Sequence, residues 1–169
     1  MRYDYRSELT AVFESDRICF VRVSELLIGD YLVMINDYEN VNRFIGASQP
    51  GPFTEEKEIS WVRKKLENNE TVFSMIDKEN GAFIGNIELM DVSADSGELG
   101  IAITASMQDR GFGTEAVSAL TEYGLKQLGL KRICLRAKPY NARALHVYEK
   151  CGFREYDRTD EHVFMAFPE

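Results

Sequence analysis

Between Glu98 and Gly152 the chain carries residues able to hold an anion, seat an extended ligand and relay a proton. Gln108-Asp109-Arg110-Gly111-Phe112-Gly113-Thr114-Glu115 stands between an apolar, strand-like run (Glu98 to Ile103) and a helix-like run (Glu115 to Leu128). Gly111 and Gly113 lack a Cβ and can reach positive φ, so successive N–H groups can converge on phosphate oxygens. The following helix adds unpaired N–H groups and the positive end of its dipole. Arg110 adds a charge-assisted hydrogen bond to the same anion. The segment reads as a pyrophosphate cradle. Further on, Asn141-Ala142-Arg143-Ala144-Leu145-His146-Val147-Tyr148-Glu149-Lys150 ends at Cys151-Gly152-Phe153. Asn141 and Tyr148 are two helical turns apart, so a helix brings both to one face. Ala144 between them leaves that face shallow, an amide at one end and a phenol at the other. Taken singly, Asn141 equally suits a helix cap and Tyr148 a place in the core.

The glycine loop has two near imitators. Gly111-x-Gly113-x-x-Ala116 satisfies a loose dinucleotide fingerprint. That fold requires an acidic residue ending the next strand, whereas here Ala137-Lys138-Pro139 follows, with too little chain left for a doubly wound sheet. A Walker-type loop is excluded because no Lys-Ser/Thr follows the glycines.

The elements that must position these groups follow from periodicity. Ile18 to Val23 reads as a strand. Ser24 caps a helix in which Leu27, Tyr31, Met34 and Ile35 recur at helical spacing. Asn36 to Gly46 is mixed, and Gln49-Pro50-Gly51-Pro52 is a loop. Thr54 caps a second helix with Ile59, Val62 and Leu66 on one stripe beside Trp61. Thr71 to Ile76, Ala82 to Met90 and Glu98 to Ile103 form a meander of strands. After the glycine loop, Val117, Leu120, Leu125 and Leu128 mark a core-facing helix, followed by a strand from Arg132 to Ala137 and the Asn141 to Lys150 helix. Phe153 to Phe167 reads as a final hairpin. The expectation is one α+β domain spanning residues 1–169, its core at 17–167 after an N-terminal extension, with helices on both faces of a mixed sheet.

The chain of 169 residues has a net charge of −8, the wrong sign for a nucleic-acid or anionic-membrane surface and mildly favourable for a cationic partner. Cys19, Cys134 and Cys151 form no C-x-x-C pair, as in a reducing compartment, and Cys134 reads as a small core residue. With only His146 and His162, no zinc spacing assembles and no metal is expected. The N-terminus carries Arg2, Asp4, Arg6 and Glu8 without an apolar segment, which reads as cytoplasmic and not as a signal peptide. His146 falls on the far side of its helix from Ala144 and is expected at the surface. Trp61, Tyr3 and Tyr5 suit packing better than an acceptor pocket.

Gln108-x-x-Gly111-x-Gly113, after Glu98-Leu99-Gly100-Ile101-Ala102-Ile103 and before Asn141-x-x-Ala144-x-x-x-Tyr148-Glu149-Lys150-x-Gly152-Phe153, resembles the GNAT superfamily of acetyl-CoA-dependent N-acetyltransferases. Arg17-Ile18-Cys19-Phe20-Val21-Arg22, with Asn36-Asp37 and Val41-Asn42-Arg43-Phe44, further resembles its Rim-type branch, which includes protein N-terminal and polyamine acetyltransferases. The resemblance implies a mostly antiparallel sheet of about seven strands in which two parallel strands, Glu98–Thr104 and Arg132–Lys138, splay to admit the pantetheine of acetyl-CoA. It implies that backbone groups of Ile101 and Ile103 pair with the pantetheine amides and that a backbone N–H near Ile101 polarises the thioester. The pyrophosphate would sit on Arg110, Gly111, Phe112, Gly113 and Thr114, with Gln108 and Asp109 at the entrance and Asn141 and Ala144 along the cofactor. Tyr148 matches the family's general acid toward the CoA thiolate, and Glu98 is the candidate base for a primary amine or peptide N-terminus. A non-catalytic acyl-CoA-binding module shares the same loop; retention of Tyr148 and Glu98 favours the enzyme. Many Rim-type members join their last two strands by a long segment that encloses the acceptor, but Asp157-Arg158-Thr159-Asp160-Glu161 allows only a short turn. The acceptor site is then open, or completed by the first helices or by a second subunit in a homodimer.

Overall fold

Runs rich in β-branched and aromatic residues, such as Ile18–Arg22 and Thr71–Asp77, build one eight-stranded sheet. In the computed structural model of the protein, which describes residues 2–45 and 51–168, the strands are β1 (Ala11–Glu14), β2 (Ile18–Arg22), β3 (Thr71–Asp77), β4 (Phe83–Met90), β5 (Ser96–Ile103), β6 (Arg132–Ala137), β7 (Arg154–Arg158) and β8 (Val163–Phe167). Their spatial order is β1-β2-β3-β4-β5-β6-β8-β7. Every neighbouring pair is antiparallel except β5 and β6. The expectation of about seven strands missed β1, whose side chains are almost all exposed, so no buried alternation marks it.

The helices are α1 (Ile28–Ile35), α2 (Glu55–Glu67), α3 (Phe112–Lys126) and α4 (Ala142–Lys150). α1 and α2 cover one face of the sheet, packing Tyr31, Met34 and Val62 against Val21, Val72 and Ile76. α3 and α4 cover the other face, packing Val117, Leu120 and Tyr148 against Leu99, Ile133 and Leu135. Thr54 caps α2 through Lys57 N–H at 3.3 Å, and Ser24 accepts from Leu26 N–H at 3.1 Å in the turn that leads into α1.

Four readings of the sequence are corrected here. α3 starts at Phe112, inside the glycine loop and not at Glu115, because Gly111 takes φ 82° and serves as its N-cap. Leu128 lies past the end of that helix and is 37% exposed. Cys134 is half-buried on the face of β6 opposite α3, with its thiol 3.6 Å from the Gly97 carbonyl, and does not join the core. The N-terminal stretch expected as an extension is woven into the fold: Tyr3, Tyr5 and Leu9 are buried, and Tyr3 donates to Asp30 at 2.5 Å. Of the Gln49-Pro50-Gly51-Pro52 loop, the first two residues lie outside the described ones, as does Gly46.

Candidate active site

The parallel pairing of β5 with β6 lasts three residues: Ser96 with Arg132, Gly97 with Ile133, Glu98 with Cys134. Beyond that point β6 pairs only with β8, up to Ala137 opposite Val163, while β5 continues along β4 to Ile103 opposite Gly85. The two strands therefore part after Glu98. Thr104 N–H donates to Ile84 at 3.0 Å, toward β4. Backbone direction alternates along a strand, so the N–H and C=O groups of Ile101 and Ile103 face the gap. An extended ligand bearing amides can pair there as a strand would.

At the open end of the gap lies the glycine loop. Asp109 and Gly111 adopt positive φ (60° and 82°) on either side of Arg110. Among the described residues, no backbone carbonyl accepts from the N–H groups of Asp109, Arg110, Gly111, Phe112, Gly113 or Thr114, the first such bond being Glu115 N–H to Gly111 at 3.3 Å. Six successive unsatisfied donors at a helix N-terminus are what a pyrophosphate requires. Arg110 projects into solvent beside them with no ion pair among the described residues. Gly113 packs where a Cβ would stand 3.4 Å from Ile103 Cδ1, which brings the start of α3 onto the end of β5.

Two side chains rivet this loop. Arg17 donates from Nε to Glu115 at 2.9 Å and from Nη1 to the Arg110 carbonyl at 3.0 Å, and its guanidinium lies 4.3 Å over the Phe112 ring. Burial pushes the Glu115 carboxyl up, but hydrogen bonds from Ser15 and from the Arg17 backbone and side chain outweigh it, and the group is held below its ordinary range. Gln108 donates to Ile103 O at 2.9 Å and Asn40 O at 3.1 Å, and accepts from Arg143, which also pairs with Asp109 at 3.2 Å. The Gln108 amide is thus engaged inside the protein, tying β5, the glycine loop and α4 together. Sequence reasoning missed Arg17 and Arg143 as loop supports, since nothing local links them to residues about 100 and 35 positions away.

Asn141 caps α4, its Oδ1 accepting from Ala144 N–H at 3.2 Å. That leaves its Nδ2 without a partner among the described residues. Tyr148 is 6% exposed on the inward side of α4, beside Phe153. Burial, with a smaller contribution from Cys151, pushes its phenol up to about 12. Its hydroxyl makes no hydrogen bond among the described residues, and at neutral pH it carries its proton.

Side chains alternate across β5. Leu99, Ile101 and Ile103 join the core under α3 and α4, on the side of Tyr148, while Ala102 packs toward α1 and α2. Glu98 and Gly100 share the face of Ala102. Tyr148 and Glu98 consequently flank the parting strands from opposite faces. Glu98 is not a free carboxylate: Arg136 on β6 approaches it at 3.2 Å, with side-chain exposures of 18% for Glu98 and 42% for Arg136. That partner, two residues beyond the last parallel pair, had no signature in the sequence. Tyr140 donates to Arg43 O at 2.9 Å and packs on Phe44, so the segment after α1 closes over the end of β6. Trp61 lies edge-on to Tyr31 at 5.8 Å, and His146 is exposed on the outer side of α4.

Residues 17–154 match the family model described as acetyltransferase (GNAT) domain. The chain is 31% identical over 116 residues to the uncharacterized N-acetyltransferase YnaD of Bacillus subtilis (strain 168), covering 68% of this chain and 66% of that protein. It is 26% identical over 133 residues to spermidine N(1)-acetyltransferase of Vibrio cholerae, covering 78% and 76% of the two chains. Among solved structures, a GNAT-family acetyltransferase from Bacillus anthracis superposes with a TM-score of 0.80 at 21% identity, over 91% of this chain and 96% of that one. The Vibrio cholerae spermidine N-acetyltransferase in complex with CoA and spermine also reaches 0.80, at 19% identity, over 90% and 96%. At such identities the two superpositions establish the fold.

Proposed function

The chain belongs to the GNAT acetyltransferase family and is an acetyl-CoA-dependent acyltransferase, and on that premise we propose that it acetylates a primary amine by direct attack on the thioester in a ternary complex. The observation that carries this reading is the parting of β5 and β6 after Glu98, with an uncommitted phenol on one face and a carboxylate on the other. The pantetheine of acetyl-CoA lies along the edge at Ile101 and Ile103, where Gln108 already donates to the Ile103 carbonyl. Its pyrophosphate rests on the amides of Asp109 to Thr114, supported by Arg110. The Nδ2 of Asn141 reaches the pantetheine side, and Ala144 leaves room there.

The chemistry divides between the faces. An alkyl amine with a pKa near 10 is mostly protonated at neutral pH and must lose a proton before it attacks. Glu98, paired with Arg136, takes that proton directly or through a water. The N–H of Ile101 donates to the developing oxyanion. Tyr148 then gives its proton to the departing thiolate, a role that its raised pKa permits because the phenol is fully protonated at working pH. The net charge of −8 favours a cationic acceptor, and the similarity to a spermidine N(1)-acetyltransferase points to a polyamine or another small amine. A screen of polyamines, amino acids, aminoglycosides and N-terminal peptides, with acetyl-CoA and detection of released thiol, tests the reading. Thiol release dependent on one amine class is the expected outcome; tight acetyl-CoA binding without release for any amine would refute it in favour of a binding module.

A further inference from the structure

Two carboxylates, not one, border the point where β5 leaves β6. Glu88 of β4 stands opposite Gly100 of β5, as Met90 stands opposite Glu98. Ile87 and Leu89 belong to the core under α3 and α4, so Glu88 lies on the other face, the one that holds Glu98 and Gly100. Gly100 has no side chain to cover this spot. A Cβ there would stand 3.0 Å from Met90 Cε and 3.9 Å from Glu88 Oε1, which puts that oxygen directly over the first unpaired stretch of β5.

The charges around the two carboxylates differ. Glu98 pairs with Arg136, one anion against one cation. Glu88 shares Lys65 of α2 with Glu70: the Lys65 ammonium lies 3.3 Å from Glu88 Oε2 and 3.0 Å from Glu70 Oε1. Burial lowers the Lys65 pKa, but its hydrogen bonds and charge interactions with the two glutamates outweigh that and raise it, so Lys65 stays charged. Lys65 is thus divided between two anions, and Lys64 acts on Glu70 as well. Lys65 and Glu88 side chains are only 16% and 27% exposed, which limits screening by water. Lys65 also fixes Glu88 by its Oε2, and Oε1 has no partner among the described residues.

We propose that Glu88 Oε1 receives the ammonium of the incoming acceptor over Gly100 and so sets the preference of the enzyme for cationic amines. This rests on the amine-acetyltransferase reading above. Glu98 then removes the proton from an amine that Glu88 has already positioned, and the Glu88 carboxylate, which holds only a share of Lys65, favours positively charged acceptors over neutral ones.

The test is Glu88→Gln, which keeps a hydrogen-bond acceptor for Lys65 but removes the charge, with Glu88→Asp as the charge-retaining control. Steady-state kinetics are taken with acetyl-CoA and either a cationic alkylamine or polyamine, or hydroxylamine, which is largely uncharged at neutral pH. Acetyl-CoA affinity is measured in parallel. The expected result is a KM for the cationic amine raised about tenfold or more in Glu88→Gln, a smaller rise in Glu88→Asp, and a penalty for hydroxylamine several times smaller. An unchanged KM, a fall in kcat alone, or an equal penalty for both nucleophiles would overturn the assignment. Absence of thiol release by the wild-type protein with every amine, despite acetyl-CoA binding, would instead overturn the acetyltransfer reading itself, and this inference with it.

Discussion

Replacing Arg17 by Ala should loosen the anion cradle without touching any atom that contacts the pyrophosphate. Three interactions are removed: the ion pair with Glu115 at 2.9 Å, the bond to the Arg110 carbonyl at 3.0 Å and the contact with the Phe112 ring at 4.3 Å. The Arg17 side chain is 42% exposed, so the ion pair counts toward the low end of a charge-assisted bond, about 1 kcal/mol. Glu115 keeps two donors, Ser15 Oγ at 2.5 Å and the residue 17 N–H at 2.8 Å, so no carboxylate is left buried and alone. The carbonyl bond and the ring contact add about 0.5–1 kcal/mol each, for a loss of about 2–3 kcal/mol in urea unfolding. Part of that energy holds Arg110 and Gly111 with their N–H groups converging. If about 1.4 kcal/mol of it is ordering of the loop, acetyl-CoA affinity falls about tenfold. Acetyl-pantetheine, which lacks the pyrophosphate, should bind the variant nearly as it binds the parent. Arg17→Lys should behave like Ala toward acetyl-CoA, because one ammonium cannot span Glu115 and the Arg110 carbonyl as a guanidinium does. Calorimetric titration alongside unfolding decides it: full stability loss with acetyl-CoA affinity within about twofold of wild type would mean that Gly111 and α3 alone shape the cradle.

Three further outcomes follow from the geometry. Tyr148→Phe should retain acetyl-CoA binding and lower kcat by about a hundredfold, in the range of lost general acid catalysis; turnover equal to wild type in a thiol-release assay would remove Tyr148 from the mechanism. Gly85→Ala should destabilise the fold by about 3 kcal/mol or prevent folding, since a Cβ there would lie 2.1 Å from the Ala102 carbonyl, and a wild-type thermal midpoint would contradict the close β4–β5 approach. The protein should lose stability between about pH 10 and 12: the Tyr31 and Tyr148 phenols are both pushed up to about 12, chiefly by burial. Above pH 10 the unfolded chain sheds these protons while the native one keeps them, so unfolding becomes more favourable as pH rises. Urea midpoints independent of pH across that window would show that neither phenol is shielded.

The glycine loop and the α4 segment were legible because their requirements are local. Positive φ at Gly111, a cap at Asn141 and the inward face shared by Asn141, Ala144 and Tyr148 depend on residues within two turns of one another. Boundaries were less legible where a neighbouring element decides them. α3 begins three residues earlier than its polar periodicity suggests, since Phe112 is only 4% exposed against Arg17 and the core. β1 carries no buried alternation and exists because β2 offers it an edge. Cys134 reads as core in an apolar run, but its pleat turns it to the face opposite α3, where it is half-buried.

Taken alone, the chain of residues determines a glycine loop between strand and helix, a phenol two turns from a capping amide and the order of strands and helices that places one after the other. These follow from φ preference, periodicity and spacing, all short-range properties. Which charges stand beside Glu98, Glu88 and the glycine loop was decided only by folding. Arg136 reaches Glu98 because β6 runs parallel to β5 for three residues and then departs. Lys65 reaches Glu88, and Arg17 reaches the cradle, because α2 and the β1–β2 turn are laid on the sheet by packing of its two faces. Coulomb energy depends on distance through space, and the sequence records distance only along the chain.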